Sequence, residues 1–161
     1  MAIRVGRVGS ENLVARQIGE TSLLIAAAPS YLERAGTPQT PQALVGHACF
    51  TYSFSSTGNQ WQFVGKDGEA LGVRVGGPVH ANNGMLLAQM AVAGGGIVHG
   101  PCFILGPLID SGALVRLLPD WPIRKLAIHV VYPTRRHLST KVRAMTAFLS
   151  DWFRRASPAS L

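Results

Sequence analysis

The chain has 161 residues, enough for one domain or two small lobes, and 47% of them are hydrophobic, so a packed core is expected and disorder is excluded. No apolar run approaches the ~20 residues that span a bilayer, and the basic start MAIRVGRVGS lacks the apolar stretch of a secretory signal. The net charge is +7, and residues 121–161 carry eight basic residues against one acidic, which suits either a solvated helix face or a polyanion-binding surface.

In chain order, AIRVGRV (2–8) alternates apolar and polar residues and reads as a strand. LLIAAAP (23–29) reads as a short buried strand that ends at Pro29. Ser30 then opens a short helix that Gly36 stops. The pair Thr40–Pro41 suits the cap and first turn of another short helix. ACFTYSF (48–54) is a strand. WQFV, GKDG and EALGVRVGG form a hairpin with Asp67–Gly68 in its turn.

Asn82 is read as the cap of a helix from about Asn83 to Ala93. IVHGPCFI (97–104) is a strand with a proline break, and GPLIDSG is a short helix stopped at Gly112. KLAIHVVYP (125–133) is a further strand. Ser139 opens the last helix, where Val142, Met145, Leu149 and Trp152, with Phe148 beside them, make one face apolar. Strands alternate with helices over most of the chain, which argues for α/β layers.

The glycines Gly94–Gly96 invite comparison with a phosphate-binding loop. In such loops a strand precedes the glycines and a helix follows. Here the order is reversed, His99 stands where a third fingerprint glycine belongs, and Pro101 replaces the lysine of a P-loop. The glycines therefore end a helix and turn the chain into a strand.

The other end of that helix has two readings. Free N–H groups at Asn82, Asn83 and Gly84 attract an anion such as a carboxylate, or Asn82 is an ordinary cap. Arg4 and Arg7 flank Gly6 and are either surface charge or a two-pronged grip on an anion. His99 is either a structural histidine or a ligand group. The five histidines and two cysteines show no metal-ligand spacing, so no metal or other cofactor is expected. No nucleophile motif stands out, so no catalytic residue is assigned. Cys49 and Cys102 lie in apolar contexts and are read as reduced, buried thiols of a cytoplasmic protein.

Several stretches together resemble the effector-binding domain of LysR-type transcriptional regulators. They are AIRVG, LVARQIGETSLLIAAAPSYLERAGTPQTPQALVGHACFTY, the W-x-F…DG hairpin, NNGMLLAQMAVAGGGI, and LVRLLPDW…VVYPTRRHLSTKVRAMTAFLSDWF. The resemblance implies a type 2 periplasmic-binding-protein-like α/β fold with a small molecule held between two lobes. It implies one complete lobe plus part of a second. Residues 1–23 would be partial first lobe and crossover strand, 24–132 the second lobe, and 133–161 a helix returning to the first.

The family's winged helix-turn-helix, its linker and the start of its first lobe have no counterpart in these residues. The implied ligand-binding residues are Arg4, Gly6, Arg7 and Ser10, then Asn82, Asn83 and Gly84, then His99, Gly100, Pro101 and Cys102. The implied function is non-enzymatic sensing of a small anionic metabolite, with a homodimer covering an exposed sheet edge and an apolar helix face. DNA would be reached only through the absent winged helix-turn-helix, and no membrane contact is implied. The rival readings are a secreted solute-binding fragment, a small α/β enzyme using His99 or Cys102, and a fragment that acts only by association.

Overall fold

The structure is a computed structural model that describes residues 1–9, 13–65, 67–123, 125–133 and 139–155. It divides into two compact units: Met1–Ser22 with Lys125–Leu161, and the continuous segment Leu23–Arg124. Strands β1 (Ala2–Val5) and β2 (Leu13–Thr21) belong to the first unit and precede the second. The strand expected over 2–8 stops early because Gly6 takes a φ of 89°, after its N–H bonds to Ala127 O at 2.8 Å.

The second unit runs through β3 (Leu23–Ala27), α1 (Pro29–Ala35), a 3-10 helix (Pro41–Gly46), β4 (Cys49–Tyr52), β5 (Gln60–Val64) and β6 (Ala70–Arg74). It continues through β7 (His80–Ala81), α2 (Gly84–Val92), β8 (Ile97–Pro101), α3 (Cys102–Asp110) and β9 (Val115–Leu117). Helix α1 begins one residue before the expected Ser30, because Pro29 presets the helical φ of its first turn and Ala28 takes the cap position. Gly36, with φ 80°, ends it.

Five strands form one sheet in the order β7-β4-β8-β3-β9. β7, β4 and β8 run parallel, and β3 is antiparallel to both β8 and β9. The period-2 alternation splits the core in two. Ile25, Ala27, Cys49 and Ile97 face Tyr31, Leu44 and the β5–β6 hairpin residues Trp61, Phe63 and Val73. Ala26, Phe50 and Val98 face α2 and α3 through Leu87, Ala88, Ala91 and Leu105. Gly68, in the hairpin turn, has φ 78° as its turn position requires.

Tyr31 and His47, in the stretch that carries the family resemblance, are structural. Ala48 N–H donates to the Tyr31 hydroxyl at 3.0 Å, and that hydroxyl lies 3.1 Å from His47 Nδ1. Burial raises the Tyr31 pKa. The bonds tie α1 to the chain entering β4.

The first unit is completed by β10 (Leu126–Pro133) and α4 (Thr140–Arg155). The sequence reading places residues 125–132 in the second lobe. The strand instead lies between β1 and β2, antiparallel to both. Its apolar pattern signals a strand without naming its sheet. With Ile128, Val130 and Val131 all buried, it is the middle strand of three.

Helix α4 packs Leu149 and Phe153 onto Ile18, Ile128 and Val130. The single apolar face expected from sequence is in fact two stripes. Thr146 is buried, and its hydroxyl donates to Val142 O at 2.7 Å, while Met145, Phe148 and Trp152 are 46%, 63% and 52% exposed. A threonine can take the inward position because it satisfies its own hydroxyl within the helix.

Candidate functional site

The parallel strands β7, β4 and β8 end at the same edge of the second unit's sheet. Two of them feed helices there: β7 leads through Asn82 and Asn83 into α2, and β8 leads at Pro101 into α3. The carboxyl ends of parallel strands, where helices begin, are where α/β folds offer free N–H groups to ligands. The two helix starts are neighbours, since a Cβ on Gly84 would stand 3.3 Å from Ile104 Cδ1.

The cap of α2 is Asn83, one residue beyond the expected Asn82. Its Oδ1 accepts from Met85 N at 3.0 Å and Leu86 N at 3.1 Å. Asn82 and Asn83 are both good caps, and the sequence does not choose between them. Replacing Asn83 with alanine is expected to cost about 1 kcal/mol of unfolding free energy, read by urea denaturation. An unchanged midpoint would show that the cap contributes nothing. Helix α3 differs: Pro101 gives it no side-chain cap, and neither helix has an acidic residue in its first turn. A negative charge at this edge therefore meets two helix starts free of fixed anions.

The expected group 99–102 is split by the pleat. His99 faces the hairpin, with its ring 4.9 Å from the Trp61 ring. Its Nε2 is buried and has no hydrogen-bond partner among the described residues. Burial pulls its pKa down to about 4, so it is neutral at pH 7. Gly100 faces the other way, toward Leu105, at 3.6 Å from where its Cβ would be.

Cys102 is the first residue of α3 rather than the interior of a strand, and it is partly exposed rather than buried. Cys49 is buried, and desolvation pushes its thiol up to about 12, which makes it inert at neutral pH. His99 Nε2 holds no thiol, so it forms no Cys–His pair through that atom.

In the first unit, Arg4 and Arg7 are exposed on either side of Gly6. Neither makes an ion pair or side-chain hydrogen bond among the described residues. Arg4 stands opposite His129 in the β1–β10 ladder. Ser10 lies outside the described residues.

Sequence reasoning missed the apolar rim of the sheet edge. Tyr52 and Phe54, 39% and 73% exposed, meet edge-on at the end of β4 with ring centroids 5.9 Å apart. Met85, Leu86 and Phe103, in the first turns of α2 and α3, are also exposed. The available signal was Phe54 in a serine-rich stretch, which alternation alone assigns to a strand. A cavity of about 30 Å³ elsewhere in the unit, lined by Leu23, Ile25, Arg116, Leu117, Trp121 and Ile123, has room for about one water. Among the described residues no cluster of three or more His, Cys, Asp or Glu could hold a metal ion. No helix there is long and apolar enough to cross a membrane.

A two-unit α/β architecture with helix starts gathered at one strand edge defines the periplasmic-binding-protein-like class of effector domains. The LysR substrate binding domain profile matches residues 1–154, and the chain belongs to that family. It is 41% identical over 147 residues to an uncharacterized HTH-type transcriptional regulator of Haemophilus influenzae, covering 91% of this chain and 50% of the relative.

The fold matches the full-length virulence activator AphB of Vibrio cholerae with a TM-score of 0.77 and 27% identity, covering 94% of this chain and 51% of that one. It matches the CrgA regulatory domain of Neisseria meningitidis with a TM-score of 0.77 and 25% identity, over 92% of this chain and 73% of that domain. The chain spans about half the length of the curated relatives it matches. These 161 residues correspond to the effector-binding part of a LysR-type regulator and not to its DNA-binding part.

Proposed function

We propose that this chain is a ligand-sensing module that binds a small carboxylate with an apolar body and does no chemistry on it. The observation that carries the reading is a family match over residues 1–154 on a unit whose parallel strands end at two helix starts rimmed by exposed aromatics. The helix starts suit the carboxylate and the rim suits the body. The ligand-binding residues proposed in the second unit are Asn82, Asn83, Gly84, Gly100, Pro101 and Cys102, with His99 behind them. In the first unit they are Arg4, Gly6, Arg7 and Ser10.

Binding acts by favouring one arrangement of the protein over another, in proportion to the ligand's differential affinity for the two. The working form is a cytoplasmic homo-oligomer. It influences DNA only when linked to a DNA-binding domain. An enzymatic role for His99 or Cys102 is disfavoured because the two do not pair through Nε2.

The test is a thermal-shift panel of aromatic and aliphatic carboxylates, each beside its neutral amide. An aromatic carboxylate at 100 times its Kd stabilises by about 2.7 kcal/mol, several degrees in Tm. Phe54→Ala with Phe103→Ala, which strips the exposed aromatic rim, removes much of that shift. Equal shifts from acids and amides, or turnover of any ligand in the panel, would overturn the reading.

A further inference from the structure

The β5–β6 hairpin is a sheet of its own, laid on one face of the five-stranded sheet. Backbone bonds tie it at both ends. Val64 N–H donates to Pro122 O at 2.8 Å, and Phe63 bridges Ile123. At the other end Cys49 N–H donates to Gly76 O at 2.9 Å. Between these ties Trp61, Phe63 and Val73 are buried against Ile25, Cys49 and Ile97. His99 lies in that contact, its ring 4.9 Å from the Trp61 ring, with Nε2 buried and unpartnered among the described residues. A charged imidazole there would bury an N–H with nothing to accept it.

The segment that the hairpin holds is strained. Leu118 is buried, yet alone among the described non-glycine residues it takes a positive φ, 52°. Pro119 follows it and disfavours that backbone further. The void of about 30 Å³ adjoins it, lined by Leu118, Trp121, Pro122 and Ile123 together with Leu23 and Ile25. Strain of this kind persists only where the surroundings enforce it, and a void beside it leaves room for a second arrangement. Leu118–Ile123 is also the way out of the second unit, which begins at Leu23 and ends at Arg124.

We propose that the β5–β6 hairpin is a proton-operated latch on this exit segment: protonation of His99 lifts the hairpin and frees Leu118–Ile123, while the rest of the second unit stays folded. The latch rests on the hairpin's packing and not on the ligand reading above, so either can fail without the other. With the hairpin down, burial holds the His99 pKa at about 4, against 6.5 for an ordinary histidine. The lifted state therefore takes up the proton first, and opening grows on the order of twentyfold from pH 7 to pH 5.

The other groups about His99 are few. Cys49, on the same face of β4, keeps its proton throughout this range, because burial pushes its thiol up to about 12. Thr51 of β4 hydrogen-bonds His80 of β7 at 2.7 Å, and Tyr31 of α1 meets His47. Strand β3 and the inward hairpin residues carry no titratable side chain. Asp67 and Glu69 of the hairpin turn, Arg74 of β6 and Arg116 of β9 are exposed.

Amide hydrogen exchange of the full chain tests this, followed by NMR at pH 7 and pH 5 in low urea and corrected for each amide's intrinsic rate. Val64 and Val75, which donate to Pro122 O and Asn59 O, are expected to exchange with a smaller urea dependence than Leu87 and Ala91 of α2. Their opening rises on the order of twentyfold between the two pH values. Trp121, whose N–H donates to Leu118 O at 3.1 Å, opens with them. His99→Phe and His99→Gln each abolish the rise, whereas His47→Gln and His80→Gln keep it, with circular dichroism verifying the fold of each variant. Hairpin amides that share the urea dependence of α2 overturn the proposal, and this comparison needs no variant. So does a rise that is absent from the unaltered chain or survives both His99 substitutions, or a Trp121 amide that stays protected while the hairpin opens.

Discussion

Gly96→Ala is expected to destabilise the second unit by about 3 kcal/mol, with a proportionate drop in the urea midpoint. The reason is the approach of two backbones. Ile97 N–H donates to Ala48 O at 2.8 Å to start the parallel pairing of β8 with β4. A Cβ on Gly96 would strike that same carbonyl oxygen and crowd Phe50 Cε1 at 3.0 Å. Phe50 is 1% exposed and packs against both helices, so it cannot move aside.

The preceding residues complete the turn. Gly94, with φ 78°, donates to Ala91 O, and Gly95 donates to Met90 O, the two-bond Schellman ending of α2. Arg34 then clamps Gly94 O at 2.8 Å. Gly46→Ala is the control, because a Cβ there meets nothing within 4 Å. A Gly96→Ala protein as stable as Gly46→Ala would refute this account of the three glycines.

The second large effect concerns acid. Burial holds the pKa of folded His99 at about 4, against 6.5 for an ordinary histidine. As pH falls through 6.5 the unfolded chain takes up a proton there, and the folded chain does not until about pH 4. Protonation thus favours unfolding across this window, and stability falls as pH falls through it. The contribution is about 3 kcal/mol, complete above pH 6.5 and lost toward pH 4. His99→Phe keeps a ring against Trp61 and removes the titration, so its stability declines less steeply between pH 6.5 and 4. Denaturation curves of the two proteins at several pH values decide the matter. Parallel curves would show that His99 is not held neutral.

Local pattern in the sequence was informative wherever one residue type has one strong use. Asp67–Gly68 marks its turn, Gly36 its helix end and Gly94–Gly96 the close passage beside β4, because few side chains tolerate those conformations. Family-specific spacing around Tyr31 and His47 is explained by the Tyr31 hydroxyl, which meets His47 Nδ1 and accepts from Ala48 N–H. Choices between near-equal residues were not legible: Asn82 against Asn83 as cap, or Pro29 against Ser30 as helix start.

Partner identity was not legible either. Alternation shows that 126–133 is a strand, but its place between β1 and β2 depends on residues more than 100 positions away. In α4 the sequence shows more apolar residues than one sheet face can cover, without showing which of them lose the competition. The candidate site is the least legible part. Arg4 and Arg7 were identifiable from charge beside a glycine. The exposed Tyr52, Phe54 and Phe103 resemble core residues until the structure places them at the strand ends.

The interleaving of the two units sets an order of birth on the ribosome. Strands β1 and β2 leave the ribosome before Leu23–Arg124 is made, and β10, the strand between them in the sheet, follows that unit. The unit between them is continuous and can finish its own contacts as it leaves the exit tunnel. The hydrogen bonds of β10 to β1 and β2 therefore form when the intervening unit can already be complete. A premature stop before Leu126 would leave Leu23–Arg124 its own contacts and deny β1 and β2 the strand they share.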